Sequence, residues 1–364
     1  MIRVADFVAS YISDVLETKH VFMVTGAGIM HLTDGVACNS KLEAVCVQHE
    51  QTASMALESY SRLSGKIGVG YFSTGPASSN AITGLGGAWQ DSVACLFISG
   101  QVKVSETSNN SGVDGLRQFG VQELNILPVV ESLSKYTVQI LDPSRIRYEL
   151  EKATFISKNG RPGPVWIEIP MDIQASWVEE SELEGFSPEP AEKIAEVPTK
   201  LSNLALHLKE AKRPVIIAGQ GVRLSDASDR LVEFAELLSI PVVTPYLGID
   251  VLNHNLDIYI GKTGVKGDRA ANLAMQNADL ILAIGSSLHV SVIGYDYSQF
   301  ARGASKFCID IDATSHLKRT LDFDDFIQSD AKEALETLLD LCGEHPNADR
   351  DSWLNQCLIW KSKY

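Results

Sequence analysis

Apolar positions near the start of the chain, Val4, Phe7, Val8, Tyr11, Ile12 and Val15, recur at helical spacing, then give way to a continuous run, Val21 to Val24, that stops at Thr25-Gly26-Ala27-Gly28. The 3.6-residue period predicts a helix lying on a core, and the short β-rich run predicts a buried strand ending in a glycine turn. The alternation continues with a strand over 42–47, a helix from Glu50 to Leu63, a strand over 67–72, a helix from Pro76 to Trp89 and a strand over 93–99. A polar loop over 105–115 and further helical sequence lead to a last apolar strand at 165–170. Strands alternating with helices build βαβ units, so this is an α/β chain with a mostly parallel sheet flanked by helices.

Residues 179–198 break the pattern: they are acidic, carry Pro188, Pro190 and Pro198, and show no period, as a linker does. A second α/β series follows, with strands over 214–218, 240–244, 279–284 and 306–310 and a helix over 228–238. The expected organisation is therefore a domain at 1–178, the linker 179–198 and a second domain at 199–345.

With 364 residues, 45% of them hydrophobic, the chain can bury two separate cores. A net charge of -15 excludes a broad nucleic-acid surface, which needs clustered Lys and Arg. The six cysteines form no C-x-x-C pair and sit mostly in apolar runs, which predicts reduced thiols without disulfide or bound metal. The first residues lack the basic-then-apolar order of a signal peptide, and no run reaches the roughly 18 apolar residues of a membrane span. A cytoplasmic protein is expected.

Candidate chemistry gathers at strand ends. Gln48-His49-Glu50-Gln51 sets a carboxylate where a strand becomes a helix; alone, such a Glu more often simply complements the helix dipole. The next strand ends in Ser73-Thr74-Gly75-Pro76-Ala77-Ser78-Ser79-Asn80, and the one after in Ser99-Gly100-Gln101. In open α/β sheets, ligands bind beyond the carboxyl ends of the strands, so three polar or glycine-rich ends in succession suggest a site there. His49 reads as a structural histidine and Arg161 as a surface or interdomain contact.

These residues resemble thiamine-diphosphate enzymes of the acetolactate synthase type. The carriers are His49-Glu50-Gln51 with its helix, Gly75-Pro76 through Asn80, Asp91-Ser92 before Ile98-Ser99-Gly100-Gln101, Gln118 to Glu123, and Arg161 to Gln174. The resemblance implies two Rossmann-like domains, the first activating the cofactor. It implies that Glu50 hydrogen-bonds the aminopyrimidine ring of thiamine diphosphate and promotes loss of the thiazolium proton. Gly26, Gly75, Pro76 and Asn80 would line the pyrimidine pocket, and Gln122 would reach toward the reacting carbonyl. Ala77 replaces the family's usual second glycine, which crowds the pocket rim, and Val121 replaces its usual phenylalanine, which bears on substrate choice.

The second domain carries Gly219-Gln220-Gly221 after a strand, but Leu224 stands where a dinucleotide fingerprint has its third glycine. In relatives this middle domain binds FAD or nothing; Gly219, Gly221 and Asp310 would be the FAD contacts here. Ser287 and Ser291 stand where FAD-binding relatives have arginines, which removes charge-assisted contacts to a diphosphate. The family's Gly-Asp-Gly mark of a third domain, which holds the diphosphate and Mg2+, does not occur, so 346–364 is expected to begin a linker toward that domain and the chain alone to be inactive. No metal ligand is expected in this chain.

The implied reaction is decarboxylation of a 2-keto acid such as pyruvate with transfer of the carbanion equivalent to an acceptor carbonyl, in a homodimer or homotetramer. Alternatives are a thiamine-diphosphate decarboxylase or carboligase of different substrate, and a noncatalytic binding or assembly module that keeps the fold. A dinucleotide-dependent oxidoreductase is a more distant one.

Overall fold

The computed structural model describes residues 1–189, 194–343 and 348–364, the side chain of Ala348 excepted. The chain divides into two compact units, Met1–Pro190 and Ala191–Tyr364. The expected linker over 179–198 and the expected end of the second domain at 345 fall in part on residues 190–193 and 344–347, which lie outside the described residues.

In the first unit six strands, β1 (His20–Met23), β2 (Glu43–Cys46), β3 (Gly68–Phe72), β4 (Cys95–Gln101), β5 (Tyr136–Gln139) and β6 (Val165–Pro170), form one parallel sheet in the order β2-β1-β3-β4-β6-β5. The inner strands β3, β4 and β6 are buried along their whole length, which is why they read as mainly apolar runs. One face packs Val21, Val69, Ile98 and Ile167 under flanking helices, and the other packs Phe72, Phe97 and Trp166. Those three rings stack with centroids 5.4 to 5.9 Å apart, and the Trp166 indole N–H donates to Ser99 Oγ at 2.9 Å. The helix Glu50–Ser64 lies so close to β3 that a Cβ on Gly70 would strike the Leu57 side chain.

Two features depart from the sequence expectation. The helix expected from Pro76 to Trp89 is two helices, Pro76–Asn80 and Ile82–Gln90, meeting at Ala81. The edge strand β5 is not announced by the apolar pattern: Tyr-Thr-Val-Gln is short, polar at alternate positions and only half-buried.

In the second unit β7 (Pro214–Ala218), β8 (Val242–Thr244), β9 (Tyr259–Lys262), β10 (Leu280–Ile284), β11 (Ser305–Asp310) and β12 (Asp325–Gln328) form a second parallel sheet, ordered β9-β8-β7-β10-β11-β12. This is the doubly wound order of dinucleotide-binding folds. Its edge strands β9 and β12 are again the ones the apolar pattern did not announce. The helix Ala348–Lys363 packs on Arg269–Asn277 and buries Trp353 and Cys357, with the Trp353 indole N–H donating to the Pro214 carbonyl at 3.0 Å. Among the described residues no helix is long and apolar enough to cross a membrane, and all six cysteines are free thiols.

Candidate active site

In the first unit the strand order reverses between β1 and β3, and the crevice beyond their carboxyl ends is where an open sheet of this kind takes a ligand. Beyond the neighbouring end of β2, His49 adopts an extended backbone and its Nδ1 accepts the Gln51 N–H at 3.1 Å. His49 therefore caps a helix. Glu50 is the first residue of that helix and is half-buried. Its carboxylate sits at the positive end of the helix dipole, and Oε2 accepts from Asn80 Nδ2 at 2.9 Å.

Asn80 closes the short helix Pro76–Asn80, which begins at Gly75 with φ 63° and ψ -113°, a backbone region reserved in practice for glycine. A Cβ on Gly75 would strike the carbonyl oxygen of Gln122, so the loop after β4 rests directly on that turn. On the other flank, Gly26 lies against the Ser73 side chain, and Ser73 Oγ accepts the Gly28 N–H at 3.2 Å. The fold thus brings together Glu50 with Asn80, Gly75 with Gln122, and Gly26 with Ser73. Pro76, Asn80 and Gln122 are exposed at this rim, and Gln122 meets Gly75 through its backbone, its side chain facing solvent. Arg161 donates to Ser92 Oγ at 2.8 Å on the surface.

This arrangement fits the pyrimidine of thiamine diphosphate. A carboxylate already oriented by an amide can hold a proton at a ring nitrogen, and glycine backbones at the strand ends admit a flat ring. Among the described residues no three His, Cys, Asp or Glu side chains gather as a metal site.

A polar group just behind the rim draws Gln101 and Glu168 from two of the motifs singled out in the sequence, but no role was read for them there. Glu168, at the centre of β6, is 1% exposed. Its Oε2 accepts from Gln139 Nε2 at 2.7 Å and its Oε1 from Gln101 Nε2 at 3.2 Å. Burial pushes the carboxyl up to about 8, against the opposing pull of the two amides. The signal was available: an acid inside the apolar run Val165-Trp166-Ile167 and Ile169 must be hydrogen-bonded to be tolerated.

In the second unit the corresponding crevice is spent on the protein itself. The Gly219 N–H donates to the Ile284 carbonyl and the Gly221 N–H to the Gly285 carbonyl, both at 2.9 Å. A Cβ on Gly219 would meet the Gly285 oxygen, and the helix that follows, Gln220–Leu224, has only 5 residues. Asp310 accepts from the Asp312 N–H at 3.0 Å and lies 3.3 Å from the enclosed ring of His316. The two glycine N–H groups do not fit the diphosphate of FAD, because the donors it would use are already paired, although Asp310 keeps spare acceptor capacity.

Comparison with known proteins assigns the class. Residues 2–127 match the family described as thiamine pyrophosphate enzyme, N-terminal TPP binding domain, and residues 201–338 match thiamine pyrophosphate enzyme, central domain. The chain belongs to the thiamine pyrophosphate enzymes. It is 32% identical over 351 residues to the acetolactate synthase large subunit of Lactococcus lactis, covering 96% of this chain and 58% of that protein. It is likewise 32% identical to that of Corynebacterium glutamicum (96% and 54%) and 30% identical to the mitochondrial acetolactate synthase of Schizosaccharomyces pombe (95% and 53%). The chain therefore spans less than three fifths of the length of these relatives.

Proposed function

We propose that this chain is the cofactor-activating and middle portion of a cytoplasmic acetolactate synthase-like enzyme. The complete protein decarboxylates a 2-keto acid such as pyruvate and transfers the carbanion equivalent to an acceptor carbonyl, as a homodimer or homotetramer. The observation that carries the reading is the half-buried Glu50 carboxylate at a helix N-terminus, held by Asn80 beside the glycine-lined strand ends. Relatives named acetolactate synthase support the reaction class.

Thiamine diphosphate, when bound, would supply the nucleophilic carbon for chemistry at the keto group. The protein orients and tunes such a cofactor. Glu50 holds a proton at the pyrimidine ring nitrogen, Asn80 fixes the rotamer of Glu50, Gly26, Gly75 and Pro76 shape the ring's slot, and Gln122 borders the space for substrate. The diphosphate and Mg2+ contacts fall to a further domain of the complete protein. The paired donors at Gly219 and Gly221 support a middle domain without FAD.

The test is Glu50→Gln in the complete protein, assayed for acetolactate from pyruvate with thiamine diphosphate and Mg2+. Loss of a proton-transfer group predicts a fall in turnover of about 100-fold or more with an unchanged melting temperature. Undiminished turnover in Glu50→Gln would remove the catalytic assignment. An active wild type that makes no acetolactate from pyruvate but turns over another keto acid would shift the substrate, a change to which the valine at 121 already points.

A further inference from the structure

Gln122 has a positive φ of 58°, unusual for a residue with a side chain, so something must hold it there. The two residues that follow it do. Glu123 is buried and accepts from the Ser108 N–H at 2.8 Å, the Ser108 hydroxyl at 2.5 Å and the Phe119 N–H at 2.7 Å, which closes the loop on itself. One residue further on, the Leu124 carbonyl accepts from Gln101 Nε2 at 3.0 Å. The same nitrogen donates to Glu168, and Gln101 Oε1 accepts the Val102 N–H at 3.0 Å. Gln101 thus uses three of the four hydrogen-bonding capacities of its amide and has one orientation open to it. Gln139, one strand further out, secures the other oxygen of Glu168.

A carboxyl group at the centre of a buried strand, met by two amides and no cation, is a costly way to fill space. Its geometry explains it: the chain Gln139–Glu168–Gln101–Leu124 runs from the outer strand of the sheet through its interior to the loop that lies on Gly75. We propose that Glu168 is a positioning residue, which through Gln101 fixes the 119–124 loop and so sets the backbone of Gln122 against the turn at Gly75. The value of that position to catalysis rests on the thiamine-enzyme reading above; the mechanical link does not.

The group acting on Glu168 from the loop side is Glu123, whose negative charge adds to the effect of burial, while β4 and β5 present only the amides of Gln101 and Gln139. Near neutrality Glu168 is an uncharged acid. Ionising it through about pH 8 sets a buried anion facing Glu123; the two amides grip the anion more strongly, but burial and the repulsion from Glu123 outweigh them and loosen the loop's anchorage.

Hydrogen exchange followed by mass spectrometry on the 364-residue chain tests the link in wild type, Glu168→Gln and Glu168→Leu between pH 6 and 9, with rates normalised to intrinsic exchange. In wild type the 116–126 segment should gain exchange as pH rises through about 8, while strand Gly68–Phe72 stays protected. Glu168→Gln, which keeps a neutral amide in place, should be protected at every pH. Glu168→Leu should expose the loop by about tenfold at every pH, as expected for losing a buried hydrogen bond. Equal loop exchange in all three proteins overturns the proposal, and so does loss of protection in loop and strand together, since that marks a general weakening of the fold. If Glu168→Leu does not fold, the pH profiles of wild type and Glu168→Gln decide alone, and parallel profiles refute the link. Failure of the thiamine reading would appear in Glu50→Gln turnover and leave these exchange patterns unchanged.

Discussion

Replacing Gly75 with alanine tests how tightly the candidate site is built. Two separate costs apply. With φ 63° and ψ -113°, Gly75 lies outside even the left-handed helical region that other residues can reach, so a side chain there costs about 1–3 kcal/mol in backbone strain. The new methyl group would also collide with the Gln122 carbonyl oxygen, and overpacking of this kind costs a further ~1–3 kcal/mol unless the loop moves aside. Gly65 provides the control. It ends the helix Glu50–Ser64 with φ 69° and ψ 2°, a methyl group on it would have no neighbour within 4 Å, and it should lose only about 1 kcal/mol on mutation to alanine. Urea unfolding of the first unit, followed by the fluorescence of buried Trp166, should therefore place Gly75→Ala below Gly65→Ala by roughly 1–5 kcal/mol. In heating, that corresponds to a difference of about 2–4 °C for each kcal/mol. Stabilities of the two variants agreeing within about 0.5 kcal/mol would refute the contact between Gly75 and Gln122.

The ionisation of Glu168 also predicts a stability profile. Its carboxyl is raised from 4.5 to about 8, so between those values the folded state holds a proton that the unfolded state has lost. This contribution is complete below 4.5 and disappears as pH rises through about 8, worth at most ~5 kcal/mol at 1.36 kcal/mol per pH unit. Denaturation of wild type and Glu168→Gln at pH 5, 6, 7 and 8 should show the variant gaining on wild type as pH rises; parallel curves would contradict the shift. In the second unit, Arg350 is 2% exposed and its guanidinium donates to the carbonyls of Leu208, Ala211 and Leu238, near the ends of two helices. Arg350→Met should cost about 2–4 kcal/mol by leaving those carbonyls unpaired, read from Trp353 fluorescence, and a loss under about 0.5 kcal/mol would show that water replaces it. Incubating the chain with excess FAD and gel-filtering it should leave no flavin absorbance with the protein, whereas a stoichiometric flavin band would show that the Gly219 and Gly221 turn opens to admit it.

The elements most legible in the sequence were strands buried on both faces, although the exposed edge strand β2 was legible as well. Strands β3, β4, β6, β7 and β10 have both faces covered, so most of their positions are apolar and the run stands out. The edges β5, β9 and β12 do not stand out because an edge strand answers to a single neighbour and to solvent, which leaves a mixed sequence. The break at Ala81 is hidden because apolar spacing continues across it, and what turns the chain is backbone geometry. Glu50, Asn80, Gly26 and Gly75 could be picked out because they belong to motifs at consecutive strand ends. Glu168 and Gln101 could not be joined in this way, since 67 residues separate them and only the pairing of β4 with β6 makes them neighbours.

The two sheets share a parallel, doubly wound plan, and each has a crevice where its strand order reverses, yet the crevices have opposite fates. In the first unit the turn residues leave the strand ends open: Ser73 and Asn80 orient neighbouring groups, and Glu50 keeps a carboxylate at a helix start. In the second, backbone has closed on backbone, with the Gly219 and Gly221 N–H groups satisfied by the carbonyls that end β10. A buried N–H satisfied inside the protein yields to a ligand only if the carbonyl it leaves finds another partner, so closing the crevice stabilises the unit at the expense of binding. Glycines allow both outcomes, because the missing side chain admits either a ligand or another strand of backbone. A glycine pattern after a strand therefore identifies a close approach without saying what approaches, and the polar residues at the neighbouring strand ends distinguish the two. They are present around Glu50, while at Ser287 and Ser291 the arginines that would grip a diphosphate are absent.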